Sequence, residues 1–497
     1  MGENCDETLG RVKLAAIDGR MRILRFRQLQ FQNLYQYLIQ NRDVFIEATQ
    51  FDDGCTKEEA EIEFASALID LRNHYDALDL TTDLEQEYRV SKGQCNEAHK
   101  VAIGIVYIIP DTISALFGVL SALCAAIQAG SCCILEMENT TRKTSVLLRQ
   151  IFSESMNKDA FGVVLSRASP PLLLQCVVVD QARKLRTTDD SKPCRVLTSP
   201  ATPNVALVDR TADVELAAKE VVASRLAFDA RGRYAVDAVF VNEFVADALA
   251  TAVVQAAQKY FGQHKIAGSQ RSTRYLSSKS DISDIALLEN EVRLGRAKVV
   301  HSDSGMTVVE VLERSSALVN TKVSSRTVIL IRSTSLDDFI DVLDNGSSQL
   351  SVGALFVFAG PREAKYLAQH IFSQVTIVNH IPAQLLVGPT TPIGYPVSLR
   401  TRYSASMFEY PSPQFAVGPR SHLASRILAG PTKSAWLMGI AQKPLKPTGQ
   451  PPPGAWGFFE QGMVIGALVY LLPILSVSLF GAGYASIWGY RKFTIRS

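Results

Sequence analysis

The sequence is short of the groups that most often carry chemistry. Its eight cysteines (Cys5, Cys55, Cys95, Cys124, Cys132, Cys133, Cys176 and Cys194) all precede residue 195, so the remainder of the chain has no thiol to offer as a nucleophile. No CxxC pair or Cys/His cluster with zinc spacing occurs, which excludes a structural zinc site of the usual kind. His301, His370 and His380 are too scattered to suggest a metal centre. A net charge of +2 lacks the basic excess of a nucleic-acid binder. The one basic cluster (Arg11, Lys13, Arg20, Arg22, Arg25 and Arg27) follows a helical pattern and reads as a solvated helix face. No secretory signal opens the sequence, so reduced cytosolic thiols are expected. Asp6 stands where a myristoylation motif needs Ser or Thr.

What is present describes a folded protein. With 497 residues, 47% hydrophobic and 20% charged, the chain can bury two or three cores. Gly462 to Tyr490 runs for 29 residues without a charge, enough for a membrane span, with Trp456, Tyr484, Trp488 and Tyr490 near its ends. Arg491, Lys492 and Arg496 follow. Post-translational insertion as a tail anchor is expected, with the body in the cytosol and the endoplasmic reticulum as the destination. Pro473 permits a single kinked span, the expected form, or a hairpin. A proline-rich stretch, KPLKPTGQPPPG (443–454), separates this run from the body and should be extended. The sequon-like Asn139-Thr140-Thr141 should face the cytosol unglycosylated.

Within the body, Arg22 to Gln50 and Lys57 to Leu80 carry apolar residues at helical spacing, predicting two surface helices. VAIGIVYII is a buried-strand run stopped by Pro110, with Asp111 or Thr112 placed to cap the helix ISALFGVLSALCAAIQ. A second strand, CCILE, completes a βαβ unit within Val101 to Glu136, implying a parallel sheet. Further strand-like runs (VALVD, VDAVFVNEFV, TVILI, ALFVF, VTIVNH) alternate with helix-like ones, among them ELAAKEVVASRLAF. The expected fold class is α/β with two sheets.

The order of these pieces resembles the aldehyde dehydrogenase superfamily, specifically its class 3, fatty-aldehyde branch. RFRQLQFQNLYQYLIQNRDVFIEAT with KEEAEIEFASAL is similar to the branch's opening helices, and VAIGIVYIIPD with ALCAAIQAGSCCILEMEN to the strand–helix–strand that floors its nucleotide site. NVALVDRTADVELAAKEVV, VTIVNH and LRTRYSASMFEYPSPQ resemble later segments, so the likeness covers about residues 20–415. The branch includes enzymes with a C-terminal membrane anchor, among them fungal ones acting on apocarotenoid aldehydes. The resemblance implies a Rossmann-type nucleotide domain, a second α/β catalytic-type domain and a C-terminal transmembrane helix. Expected boundaries are 1–204 for the helices and nucleotide-type domain and 205–380 for the catalytic-type domain. A closing or oligomerisation segment (381–440), a linker (441–461) and the membrane segment (462–490) follow.

The family's mechanism requires a cysteine thiolate, a carboxylate and oxyanion donors around a nicotinamide nucleotide. The cysteine's slot falls here in FDARGRYAVDAVFV, on Arg233 or Tyr234. The general-base motif maps to Leu197–Ala201, with Thr198 near the carboxylate's place. The ribose-contacting lysine is replaced by Glu136, which would set a carboxylate against an anionic ligand. The glycine turn has no counterpart in VVVDQARKLRTTDDSKPC, and Val323 to Thr327 lacks the glutamate of the Glu-x-Phe-Gly-Pro segment. Arg231, Arg233 and Tyr234 form a basic trio that would lower a phenol's pKa if they converged; a structural role is the alternative. The facing of nearby Asp229 and Asp237 is open. Cys132 and Cys133 are read as buried and inert. Asn379 matches a position near the family's substrate tunnel, or serves as a loop-stabilising amide.

No catalytic, cofactor-binding or metal residue is therefore assigned. The expectation is a membrane-anchored, catalytically impaired family member acting as a binding or scaffold partner in lipid or specialised metabolism. Such a member would form a homodimer, or a heterodimer with an active relative, or hold a lipophilic aldehyde or acid. The alternative is an active oxidoreductase that takes fatty or isoprenoid aldehydes to acids with NAD or NADP; without activity, no cofactor is expected.

Overall fold

The computed structural model describes residues 5–138, 140–185, 195–200, 202–266, 279–303, 305–343, 352–416, 438–439, 441–446, 449 and 458–494. The chain divides into two compact units, Met1–Ala416 and Val417–Ser497.

The first unit opens with α1 (Cys5–Asp18), α2 (Leu24–Gln40), α3 (Arg42–Asp53), α4 (Lys57–Asp76) and α5 (Leu80–Tyr88). The stretch expected as one helix from Arg22 breaks at Asn41. There the backbone leaves the helical basin (φ −108°), and the Asn41 amide bonds back to Tyr37 O at 2.9 Å. The basic cluster is split: Arg11 and Lys13 lie on α1, Arg25 and Arg27 on α2, and Arg20 and Arg22 in the 3-10 turn between them. A reciprocal capping box starts α4: Thr56 Oγ1 accepts from Glu59 N (3.2 Å) and Glu59 Oε2 from Thr56 N (2.9 Å).

Next come β1 (Lys100–Ala102), β2 (Ile105–Ile109), α6 (Ala115–Ala129), β3 (Cys132–Glu136), α7 (Lys143–Gln150) and β4 (Phe161–Val164). They are followed by α8 (Pro170–Leu173), β5 (Val177–Asp180) and β6 (Val196–Thr198). The expected βαβ unit is present. β2 pairs in parallel with β3 and β5, and the five-stranded sheet runs β4-β3-β2-β5-β6, parallel throughout. Every residue of β2 and β3 is buried, as for a parallel sheet covered on both faces. Cys132 and Cys133 lie in β3; burial pushes the first thiol up to about 12 and the second well above its usual range, so neither is a nucleophile. Gly130 ends α6 in a left-handed conformation (φ 85°), where a Cβ would meet Met21 O at 3.1 Å.

The expected cap of α6 is not formed. Helix begins only after Ser114, so Asp111 and Thr112 sit too early to reach its first free N–H groups. The buried Glu63 of α4 does so instead, accepting from Phe117 N at 3.2 Å. Asp52 of α3 likewise accepts from Lys143 N (3.1 Å) and Thr144 N (2.7 Å) at the start of α7. The opening helices are thus stitched to the sheet layer by their carboxylates.

The rest of this unit comprises β7 (Val205–Val208), α9 (Val214–Leu226), β8 (Ala238–Asn242), α10 (Ala246–Ile266), α11 (Lys279–Arg293), β9 (Ala297–Asp303) and β10 (Met306–Val311). Then come β11 (Thr327–Ser333), α12 (Leu336–Leu343), β12 (Val352–Phe358), α13 (Pro361–His370), β13 (Ser373–Val378), α14 (Ala383–Leu386) and β14 (Glu409–Pro411). The second sheet runs β13-β12-β7-β8-β11-β10-β9 and is parallel except for the β9–β10 pair. β1 and β14 form a separate antiparallel ribbon.

In the second unit, α15 (Phe458–Thr494) is continuous through Pro473. Its stretch Phe459–Trp488, 30 residues containing an 18-residue run of mean hydropathy 2.3, is long and apolar enough to cross a membrane. Ser476 Oγ donates to Leu472 O at 2.6 Å beside the proline. The helix has no turn on which a hairpin could reverse. Most of the proline-rich linker, and Asn139 of the sequon, lie outside the described residues.

Burial, reinforced by Asp53, pushes Glu63 up to about 8. Between about pH 4.5 and 8 the folded state therefore holds a proton that the unfolded chain has released, so stability falls as pH rises through that window. Glu63→Gln should flatten this slope and raise the thermal midpoint at pH 8, as measured by circular dichroism.

Candidate active-site cleft

The C-terminal edge of the five-stranded sheet meets the N-terminal edge of the seven-stranded one, and the slots marked by sequence fall along this junction. On the second edge a single polar node fixes the beginnings of four parallel strands. Arg225, inaccessible at the end of α9, donates through Nε to Thr327 O (3.1 Å) and through Nη2 to Val323 O (3.0 Å) and Ser325 O. Its Nη1 lies 3.8 Å from buried Asp237. Asp237 accepts from Asn204 N (2.8 Å) and Val323 N (3.0 Å). Asn204 reaches on to Arg233 O, Ala235 O and Ala354 N at 2.9, 3.0 and 3.1 Å. Burial lowers the Arg225 pKa, opposed by Asp237. Val323–Thr327, where the family's glutamate is missing, is thus held by its own carbonyls. Sequence reading left Asp237 open and missed Arg225, although its spacing from Val221 and Val222 puts it on the buried face of α9.

The slot itself is preceded by a strained turn. Phe228, Asp229 and Ala230 adopt φ of 50°, 59° and 60° in succession, a conformation that costs residues other than glycine about 1 kcal/mol or more each. Glu59 Oε1 accepts from Phe228 N at 3.0 Å, and Asp229 pairs with Arg326 and with Arg231 (3.3 Å). Beyond the turn, Tyr234 is fully buried. Its hydroxyl accepts from Thr391 N (3.0 Å) and donates to Gln374 Oε1 (3.4 Å), while the Arg402 guanidinium lies 5.3 Å from its ring centre. Arg233 points the other way and binds Asp111 through Nε at 2.8 Å, joining the two edges. The basic trio does not converge on the phenol, because each arginine has its own carboxylate; Tyr234 is a core residue.

Along the first edge, Glu136 ends β3 but does not confront a ligand as an isolated charge. Arg167 pairs with it at 3.1 Å and Tyr107 Oη donates to it at 2.9 Å. Gln181 bonds Asp111 N (3.4 Å), Gly118 O (2.8 Å) and the Tyr403 hydroxyl (3.1 Å), and Arg183 Nε donates to Ser199 O (3.0 Å). Thr198 O accepts from Ile393 N at 3.3 Å. Among the described residues no group of three or more His, Cys, Asp or Glu side chains could hold a metal ion. His380 lies 3.2 Å from Glu220. Asn379, at φ 55°, bonds Ala359 N and O at 3.0 and 3.1 Å, a loop-stabilising amide.

This architecture agrees with the comparisons. The aldehyde dehydrogenase family profile matches residues 20–273, just over half of the sequence. The chain belongs to the aldehyde dehydrogenase family. Aldehyde dehydrogenase family 3 member B1 of Bos taurus is 28% identical over 169 residues, which cover 32% of this chain and 35% of that protein. The Rattus norvegicus protein of the same name is 27% identical over 171 residues, covering 33% and 36%. The alignment thus spans about a third of these relatives. Substrate-bound AldH of Staphylococcus aureus superposes with a TM-score of 0.65 at 16% identity, covering 86% of this chain and 99% of that one. Glyceraldehyde-3-phosphate dehydrogenase GapN from Methanocaldococcus jannaschii, complexed with NADP, gives 0.64 at 11% identity, covering 82% and 93%. Both establish the fold.

Glu136, in the place of the family's ribose-contacting lysine, is buried and bonded to Arg167 and Tyr107.

Two substitutions test this cleft. Arg225→Ala should destabilise the chain by about 3–5 kcal/mol in denaturant titration, because Asp237 and several carbonyls would lose their buried partner. Ala230→Gly should stabilise it by about 1 kcal/mol by relieving the left-handed strain.

Proposed function

We propose that this protein is a membrane-anchored aldehyde dehydrogenase-family member that has lost the family's catalysis and works as a binding or scaffold partner in lipid or specialised metabolism. The observation that carries this reading is at the nucleophile slot. Tyr234 is buried and its hydroxyl is engaged, Arg233 is tied to Asp111, and no cysteine follows Cys194 to take over. Thr198 in the general-base segment and the Glu136–Arg167 pair at the nucleotide edge support it. The apolar α15 supports an anchor, with the endoplasmic reticulum as its proposed membrane and the body in the cytosol. A homodimer, or a heterodimer with an active relative, is the proposed assembly.

The second reading, an NAD- or NADP-dependent oxidoreductase of fatty or isoprenoid aldehydes, draws support from retention of the whole family fold at 86% coverage of the chain. The two separate by assay of the full chain in detergent. The expected result is no nucleotide reduction above buffer with long-chain and isoprenoid aldehydes. NAD-dependent turnover abolished by Tyr234→Phe or Arg233→Gln would overturn the non-catalytic reading.

A further inference from the structure

The basic cluster where α1 turns into α2 takes no part in the cleft, and it departs from an ordinary solvated helix face in what lies between its charges. Residues 11–27 hold six cations against the single carboxylate Asp18, a net +5 in a chain whose total is +2. Several of these cations hold the turn in place. Arg20 pairs with Asp18 (3.1 Å) and Asp159 (2.7 Å), Arg27 donates to Gln128 O (2.6 Å) with Asp83 3.6 Å away, and Arg11 donates to Lys158 O. Lys13 donates to the neutral amide oxygen of Gln175 (2.8 Å), while Arg22 and Arg25 are exposed and make no ion pair among the described residues. Interleaved with these three, Leu14, Ile17 and Ile23 are 65%, 70% and 59% exposed. A single exposed aliphatic is ordinary, but a group of them around unpaired cations calls for an occupant. Lys13, Leu14 and Ile17 share the face of α1 opposite the buried Leu9, Val12 and Ala15.

The surface that suits this mixture has apolar matter behind a layer of negative charge. Aliphatic side chains enter it, lysine and arginine stems lie along it, and their charged ends stay in the outer layer. A second copy of this chain suits the corner badly, because a two-fold contact would set cations against cations. A span in α15 holds the body beside one bilayer, where the effective concentration of headgroups is on the order of millimolar, so a weak contact suffices.

We propose that the α1–α2 corner, through Lys13, Leu14, Ile17, Arg22, Ile23 and Arg25, rests on the surface of a membrane that carries anionic lipid headgroups. The proposal builds on the reading of α15 as an anchor and adds a lipid-selective contact made by the body itself. The aliphatics supply the apolar attachment, the three cations the preference for negative charge, and the Arg20 and Arg27 bonds keep the corner in shape.

The test uses the full chain with vesicles of phosphatidylcholine alone or mixed with phosphatidylserine, and follows hydrogen exchange of the backbone across residues 13–25. Slower exchange on the phosphatidylserine vesicles is expected, weakening as salt is raised. Arg22→Gln with Arg25→Gln should weaken the contact about fivefold per lost charge, and Ile17→Gln with Ile23→Gln should remove the protection on both charged and neutral vesicles. All four positions are exposed, so circular dichroism of these variants should match that of the parent chain. Equal exchange on the two kinds of vesicle would overturn the proposal, as would protection that survives the double arginine variant. Protection of the same strength in detergent would also overturn it, by assigning the corner to a protein contact. Flotation with phosphatidylcholine vesicles reads the anchor separately. A chain that fails to float would sink the anchor reading, and phosphatidylserine-dependent protection with added vesicles would still decide the corner.

Discussion

One buried guanidinium sets the terms for the second half of this fold. Arg225 has no access to water, and a charge in that position is tolerated only when carbonyls and a counter-ion surround it in a fixed arrangement. The carbonyls it recruits belong to the segment entering β11, and its counter-ion Asp237 stands before β8. Through Asn204 the same network reaches β7 and β12. Four strand beginnings are therefore fixed by hydrogen bonds that cannot be traded for water, and the residues just upstream of β8 inherit a fixed direction. Tyr234 turns inward and Arg233 outward toward the other sheet.

The first half answers with carboxylates. Asp52, Glu59 and Glu63, all on or near the opening helices, accept from backbone N–H groups of α7, of the Phe228 turn and of α6 respectively. Helix starts and left-handed turns leave N–H groups pointing outward, where families that handle anionic ligands can use them. In this chain the protein's own side chains occupy them. Glu136 shows the same internal settlement, paired with Arg167 and bonded by Tyr107.

Much of the fold was legible in the sequence because its signals are local. The apolar runs of β2 and β3 and the apolar run of α15 depend on neighbours in the chain. The break at Asn41 was not legible, since apolar spacing continues across it and only the backbone geometry departs. The cap of α6 was misplaced because Glu63 comes from a helix more than fifty residues away. In the cleft, the missing cysteine and general base could be read directly. The partners of Glu136, Asp229, Arg233 and Asp237 could not, because each is set by how distant strands align. Arg225 was the exception that could have been found, a lone charge on the apolar stripe of ELAAKEVVASRLAF.

The unbroken course of α15 also has a bearing on bilayer geometry. At 1.5 Å per residue its 30-residue apolar stretch measures roughly 45 Å, against about 30 Å of hydrocarbon in an ordinary membrane. Placed upright, such a helix would leave about a third of its greasy length in the headgroups or in water. Leaning, bending at Pro473 or thickening the surrounding lipid each removes that mismatch at modest cost. The helix is therefore suited to an oblique path through the bilayer, with its proline at the point where the direction can change.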